Sequence, residues 1–490
     1  MAPHPKALMI QGTGSDVGKS LLVAGMARAL SNRGLRVMPF KPQNMSNNAA
    51  VTSEGGEIGR AQALQARAAR TPLLNDMNPV LLKPQTDVGA QVIVQGQMVG
   101  NVKARQYQDL KHTLLDRVLE SFHRLAGSAD IVLIEGAGSP AEVNLRKNDI
   151  ANMGFAEAAD IPVILTGDID RGGVIAQLVG TYSLLSGSEK NRTKGYLVNK
   201  FRGDVSLFDD GLTIITEQTG METMGVVPFF NDASKLPPED AASLPARKRG
   251  GDAVRIAIPV LSRIANFDDF DPLFAEPSVQ VEMIRPGTPI PAGMDVIILP
   301  GSKATLADMI FLRDQGWDID IHAHVRQGGT LVGICGGYQM LGRRLHDPDG
   351  IEGSLREVEG LGLLDFTTTL TGSKKLLMEG GTETLSGTSV QGYHMHVGEC
   401  TGPALKAPFL QLESGSDGAI SKDRRVMGCY LHGLFANDAF RHAFLHRTGS
   451  DAPLLDSFDA GVEQALDDLA AHLEAHTRID RMLEIAERIR

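Results

Sequence analysis

A short apolar run, Ala7-Leu8-Met9-Ile10, leads into Gly12-Thr13-Gly14-Ser15-Asp16-Val17-Gly18-Lys19-Ser20, and this loop leads into a helical stretch, Ser20–Arg33. Strand, glycine loop and helix in that order constrain the fold strongly. A loop that cradles phosphate needs glycines to turn successive backbone N–H groups inward, and a helix start adds its dipole. On this reading Lys19 would reach the β- and γ-phosphates of ATP, and the Ser20 hydroxyl would sit on Mg²⁺. The loop is a variant. The common spacing puts a glycine five residues before Gly18, where Thr13 stands, and Gly12 lies one step further out. An ordinary glycine turn is the competing reading, and the Gly-Lys-Ser ending between strand and helix favours phosphate.

The pattern continues through the first half. Arg36–Phe40, Ile131–Ile134, Pro162–Leu165 and Gly195–Val198 are further short β-rich runs separated by helical stretches. Continuous apolar strands alternating with helices mark a parallel sheet covered on both faces. Asn231–Asp252, with Pro237-Pro238 and Pro245 among alanine, glycine and charge, has linker composition. A second α/β series follows at Arg255–Val260, Asp295–Leu299 and Thr330–Gly333, and 490 residues suffice for two or three cores. The expected organisation is a parallel-sheet α/β domain over 1–230, a linker over 231–252, a second α/β domain over 253–450 and a helical tail over 451–490. In the tail, Val462, Leu466, Leu469 and Leu473 share one helix face, with Ser457 or Asp459 available as N-cap. That pattern predicts packing, not chemistry.

Strand ends carry the other candidates of the first half. Glu135, in Glu135-Gly136-Ala137-Gly138, lies at the edge where open α/β sheets bind ligands, and could coordinate Mg²⁺ directly or through water; a helix cap is the plainer alternative. Asp168 and Asp170 end another strand beside Arg171 and a glycine pair, suited to a metal or a substrate carboxylate, or equally to a turn. Asn199, at the fifth strand end, could read a nucleotide base through its amide.

The second half centres on Cys335. Gly333-Ile334-Cys335-Gly336-Gly337 joins the strand Thr330–Gly333 to the helical run Tyr338–Leu341, and its glycines permit the strained turn that exposes a nucleophile. The helix start would favour the thiolate and help hold an oxyanion. Pro300-Gly301-Ser302-Lys303, at another strand end, would add N–H donors. His432, in Cys429-Tyr430-Leu431-His432-Gly433, is the candidate base. A buried cysteine is more often a small hydrophobe, which is how Cys400 and Cys429 read. His322 and His324 diverge on a helix and read as structural. His394 and His396, framed by Tyr393 and Gly398, stay open.

Composition excludes several classes. Three cysteines cannot staple so long a chain, which points to a reducing cytoplasm. A formal charge of −11 argues against a general nucleic-acid binder. No apolar run approaches the roughly 20 residues a membrane span needs. Met1–Ile10, with one lysine and two prolines, does not read as a secretory signal.

With these residues in place, the chain resembles the cobyric acid synthase family, the glutamine-dependent amidotransferases of cobalamin biosynthesis, from Gln11 to the C-terminal helix. The resemblance rests on Gly12–Ser20, Lys41-Pro42-Gln43-Asn44-Met45-Ser46-Asn47-Asn48, Glu57-Ile58-Gly59-Arg60-Ala61-Gln62, Glu135–Pro140, Asn144–Met153, Gly167–Gly173, Asn199–Gly203 and Gly333–Gln339. It implies a P-loop domain similar to dethiobiotin synthetase and MinD-type ATPases, followed by a class I glutamine amidotransferase-like domain. It implies amidation of the b, d, e and g carboxylates of adenosylcobyrinic acid a,c-diamide, giving adenosylcobyric acid. ATP would activate each carboxylate as an acyl phosphate, and ammonia from glutamine would attack it. By motif, Cys335 is the nucleophile, His432 its general base, Gly12–Ser20 the ATP loop, Glu135 the Mg²⁺ ligand beside Ser20, and Asp149 a helper at the corrinoid carboxylate. The corrinoid is substrate, and no tightly bound organic cofactor is expected beside ATP and Mg²⁺.

Three positions depart from wider patterns. Leu434 stands where class I amidotransferases usually place a glutamate two residues after the histidine, so the third member of the triad is left open. Gly14 replaces the signature lysine of many MinD-like loops, and His394 stands where the family frame Gly-Tyr-Glu-x-His has its glutamate. Two alternatives stay open: a cobyrinic acid a,c-diamide synthase with the same chemistry at other carboxylates, and a MinD-like regulatory ATPase with an idle amidotransferase-like domain. Oligomeric state is not legible.

Overall fold

A computed structural model describes residues 6–86, 89–237, 253–450 and 453–488. The first sheet runs Glu222–Pro228, Thr193–Phe201, Val163–Asp168, Lys6–Gly12, Ile131–Glu135 and Val37–Phe40, all parallel. The five expected strands are there, and Glu222–Pro228 adds an edge. Lys6–Gly12 is central because its residues are apolar on both faces, as helix-covered parallel strands require. Register places the site: Ile10 pairs with Glu135 and Gly12 with Thr166, so the phosphate loop, Glu135 and Asp168 emerge side by side.

The segment after Val37–Phe40 builds an outwork on this sheet. Gln43–Met45, Val80–Thr86, Gly89–Val94 and Gln97–Lys103 form a four-stranded sheet, and the helix Arg60–Ala68 lies between its first two strands in sequence. In the second half Val279–Ile284, Val254–Pro259, Val296–Leu299, Thr330–Ile334 and Val426–Cys429 make a second parallel sheet, with Ala419–Ile420 antiparallel at its edge. A long hairpin, Thr367–Glu383 with Ser389–Thr401, stands against it.

The tail returns to the first half. Helix Phe458–His476 is capped by Ser457, whose hydroxyl accepts from the Ala460 N–H at 3.3 Å. Val462, Leu466, Leu469 and Leu473 are buried in one core with Leu8, Leu22 and Met26 of the first domain. Gly25 permits this approach, since a Cβ there would lie 2.6 Å from Leu473 Cδ1. Arg28, its side chain almost wholly buried, pairs with Glu463 at 2.5 Å and Asp467 at 2.7 Å. Of the expected linker, Asn231–Lys235 is a 3₁₀ turn, and 238–252 lie outside the described residues. Among the described residues no helix is long and apolar enough to cross a membrane.

Candidate active sites

The phosphate loop folds as its glycines suggest. Gly18 opens helix Lys19–Asn32 at φ 95°, and Asp16 also takes a positive φ, 58°. Lys19 curls back over the loop, donating to the Gly14 carbonyl at 2.8 Å and the Gly138 carbonyl at 3.3 Å. Gly12 has to lack a side chain here: a Cβ would stand 2.9 Å from the Gly14 carbonyl oxygen. The Ser20 hydroxyl donates to Glu135 Oε1 at 2.8 Å, Lys41 Nζ meets the same oxygen at 2.8 Å, and Gln65 Nε2 donates to Oε2 at 2.6 Å. Glu135 is thus no helix cap but the hub of a buried polar cluster.

Other expected residues come out differently placed. Asn199 reaches the loop, but its amide donates to the Val17 carbonyl at 2.8 Å, holding the loop from beneath instead of facing open space. Asp168 pairs with Lys200 at 2.9 Å and Asp170 with Arg202 at 2.6 Å. Asp149 accepts backbone N–H bonds from Ala151 (2.8 Å), Asn152 (3.1 Å) and Gly154 (3.0 Å). Its carboxylate is committed to the turn before helix Met153–Ala158, and that turn presents Asn152, which clasps the Ala137 backbone beside Glu135.

A hydroxyl and a carboxylate 2.8 Å apart at the strand ends are hard oxygen donors of the kind Mg²⁺ takes. Mg²⁺ keeps water and phosphate oxygens as its other ligands, so the pair fits although no group of three or more His, Cys, Asp or Glu side chains suited to a metal exists among the described residues.

Cys335 occupies the expected elbow, at φ 51° and ψ −109°, a backbone conformation costly for a residue with a side chain. Its glycines serve close packing: a Cβ on Gly337 would lie 2.2 Å from the Leu299 carbonyl, and one on Gly336 2.8 Å from the Ser302 nitrogen. The pocket at Cys335 is lined by Gly301, Ser302, Gln339 and His432 among others, which puts the Pro300–Lys303 loop where an oxyanion would form. On one side His432 shares the pocket with Cys335, whose Sγ lies 3.8 Å from the Met395 carbonyl oxygen and whose charge acts on the imidazole. On the other its Nδ1–H donates to Asp269 Oδ2 at 2.7 Å, while the Gly433 N–H donates to Asp269 Oδ1 at 2.6 Å. Burial opposes charge on this imidazole, but Asp269 and Cys335 outweigh it and hold its pKa well above the usual histidine value. Tyr393 stacks on the ring, centroids 5.1 Å apart. Asp269 lies in the 3₁₀ turn Phe267–Phe270, far from His432 in sequence, and no spacing rule pointed to it.

The remaining histidines divide. His324 caps the Thr330 carbonyl at 2.9 Å from helix Trp317–Arg326, a structural part. His394 bonds Glu379 on the facing strand at 2.9 Å, so a glutamate is present here from a different position than the family frame. His396 stacks on Tyr430 at 3.8 Å, and burial drives its pKa down to about 3.

The two centres meet across a buried ionic seam. Glu57 and Lys83 come from the first domain, and Lys374 from the long hairpin of the second; both lysines pair with Glu57. Burial raises the Glu57 carboxyl, yet Lys374 and Lys83 outweigh it and hold it well below the carboxylate range. Lys83, Lys374 and Lys303 all line the Cys335 pocket. Burial and the neighbouring lysines push Lys303 down to about 7, and burial pushes Lys374 down to about 8.

Comparison with known proteins matches this two-part architecture. Residues 8–243 fit the CobQ/CobB/MinD/ParA nucleotide binding domain, and residues 255–440 the CobB/CobQ-like glutamine amidotransferase domain. The cobyric acid synthase of Methylorubrum populi is 58% identical, covering 98% of this chain and 99% of that protein. That of Bradyrhizobium sp. (strain ORS 278) is 56% identical over 99% and 98%, and that of Ruegeria sp. (strain TM1040) 57% identical over 98% and 99%. Near-full-length identity of this order, over both halves and both centres, means that the chain belongs to the cobyric acid synthase family of ATP- and glutamine-dependent ligases.

Proposed function

We propose that the chain amidates the b, d, e and g carboxylates of adenosylcobyrinic acid a,c-diamide, yielding adenosylcobyric acid, and that Cys335 and Lys19 divide the work. The observation that carries this reading is the Cys335–His432–Asp269 constellation, docked through the Glu57 seam onto the Lys19–Ser20–Glu135 cluster.

At the second centre, His432 takes the Cys335 proton and the thiolate attacks the glutamine side-chain carbonyl. The Pro300–Lys303 loop faces the resulting oxyanion. The C–N bond breaks as His432 returns the proton to nitrogen, and ammonia leaves a thioester. Water activated by His432 then releases glutamate. At the first centre a substrate carboxylate oxygen attacks the γ-phosphorus of ATP, the bond to the β-bridging oxygen breaks, and ADP departs. Lys19 and the loop N–H groups hold the phosphates in line. Mg²⁺ bound with ATP, held by Ser20 and Glu135, would supply positive charge at those phosphates. Ammonia displaces phosphate from the acyl carbon and leaves the amide. The chemistry needs no other cofactor. Asp149 acts by holding the loop that carries Asn152, a positioning part in this scheme.

Mass spectrometry of corrinoids after incubation with ATP, Mg²⁺ and glutamine tests the proposal. Stepwise gain of four amides on the a,c-diamide is expected. Amidation of cobyrinic acid that stops at two amides would instead assign the diamide synthase. Unchanged corrinoids with ATP consumed would move the chain to a regulatory ATPase.

A further inference from the structure

The acid that orients His432 has a neighbour with a partner in the other domain. Asp268 is buried, and its Oδ2 lies 2.9 Å from Arg60 Nη2. Arg60 opens the helix Arg60–Ala68 of the nucleotide-binding half, whereas Asp268 and Asp269 share the 3₁₀ turn Phe267–Phe270 of the amidotransferase half. The other oxygen of Asp268, Oδ1, is buried without a hydrogen-bond partner, so the charge of this carboxylate rests on Arg60. Asp271, one turn on, adds a third carboxyl that feels Asp268 and Asp269. Against these acids stand two cationic groups, Arg60 and His432, both of which act on Asp268. An unpaired Asp268 would compete with Asp269 for the imidazolium or pull the turn out of register. Arg60 settles that competition. Further along the same helix Gln65 binds Glu135 at 2.6 Å and the Ser20 carbonyl at 3.3 Å, so one short element touches both centres. Arg60 is not among the residues that line the Cys335 pocket.

We propose that Arg60, a side chain of the nucleotide-binding domain, is a positioning residue of the amidotransferase centre: it neutralises Asp268 and leaves Asp269 to hold His432 toward Cys335. The amidotransferase half is then incomplete without the docked first domain. The inference rests on the reading of Cys335 and His432 given above.

The full-length chain is compared as wild type, Arg60→Met, Arg60→Lys and Arg60→Met with Asp268→Asn, measuring glutamate release from glutamine and, separately, ammonia-driven amidation. Arg60→Met is expected to lower kcat for glutamine hydrolysis about 10-fold or more, with KM for glutamine within about 2-fold, because the guanidinium acts on the catalytic histidine and not on bound glutamine. Ammonia-driven amidation should hold. Arg60→Lys, or removal of the stranded charge by Asp268→Asn, should return kcat to within about 3-fold of wild type. Unchanged kcat in Arg60→Met overturns the inference. So does a loss carried by KM, a parallel fall of ammonia-driven turnover, or failure of both rescues. Glutamine hydrolysis that survives Cys335→Ala would instead remove the underlying reading, whatever Arg60 does.

Discussion

Replacing Asp269 by Asn probes the triad at its least obvious member. The carboxylate has two fixed donors: the Gly433 N–H at 2.6 Å on Oδ1 and His432 Nδ1–H at 2.7 Å on Oδ2. A backbone N–H cannot become an acceptor. The asparagine carbonyl must therefore stay on Gly433, and its NH₂ is turned toward His432 Nδ1. The imidazole then has to accept at Nδ1 and carry its proton on Nε2, which faces Cys335 and can no longer take the thiol proton. Two losses combine. The buried charge pair is worth about 3 kcal/mol when one partner is removed, or roughly 150-fold. The same Asp-to-Asn change in serine-protease triads, charge loss and wrong tautomer together, costs about 10⁴-fold. Glutamine hydrolysis should thus fall between about 10² and 10⁴-fold in kcat, with ammonia-driven amidation intact. Asp269→Ala should fall less than Asp269→Asn, because it removes the charge without forcing the tautomer. Glutamate release measured on the three proteins decides it: an Asn variant as active as the Ala variant, or within about 3-fold of wild type, would refute the assignment of Asp269.

Cys335→Ala should abolish glutamine use and leave high concentrations of free ammonia usable; equal loss with both nitrogen donors, read by amide formation, would reject the division of labour. Lys19→Ala should remove amidation with either donor while glutamine hydrolysis persists, and ammonia-driven turnover that survived would count against the phosphate loop. Stability should fall as pH drops from about 6.5 toward 4. Burial holds His394 at about 4 and His396 at about 3, so the unfolded chain binds protons that the native state refuses. The limiting slope is about 1.4 kcal/mol per pH unit for each histidine, and His394→Gln, which can still donate to Glu379, should flatten it in denaturant unfolding series. A slope identical in wild type and variant would exclude His394 as its source.

The sequence shows what is local. Lys6–Gly12, Ile131–Glu135 and Val163–Asp168 were readable because a strand covered on both faces is a continuous apolar run. Glu222–Pro228 escaped because polar residues and Gly225 break its run, and Val279–Ile284 because Gln280 and Glu282 interrupt its apolar residues. The elbow at Cys335 was readable from its glycines for the same local reason. Asp269 was not. It stands 163 positions from His432, and only the folding of the turn Phe267–Phe270 against the end of Val426–Cys429 brings the two together. Lys41 lies in a segment that marks the family and Gln65 three residues beyond another, yet nothing in their spacing says that both end on Glu135. The family motif points to Asp149, and a strand end points to Asn199. Whether such a side chain faces a ligand or the backbone depends on which N–H and C=O groups neighbouring loops leave unpaired, and that is not written in the segment itself.

Chain order and core order differ in this molecule, and the difference bears on how the two chemistries stay together. Helix Phe458–His476 follows the amidotransferase half in sequence but fills the core of the nucleotide-binding half, with Leu469 and Leu473 against Gly25 of the helix that the phosphate loop opens. Glu487–Arg488 then pairs antiparallel with Lys6–Ala7 on the central strand. The amidotransferase half is therefore held between two stretches of chain that both end in the same core, and separating it from the first half would strip that core of its own C-terminal helix. Buried ion pairs such as Glu57 with Lys83 and Lys374 add little net stability over apolar contacts of the same size. What they add is register, since Glu57 satisfies both lysines only in one docking. Apolar packing of the tail supplies the holding energy, and the ionic seam with Arg60 and Asp268 sets where Cys335 stands relative to Glu135.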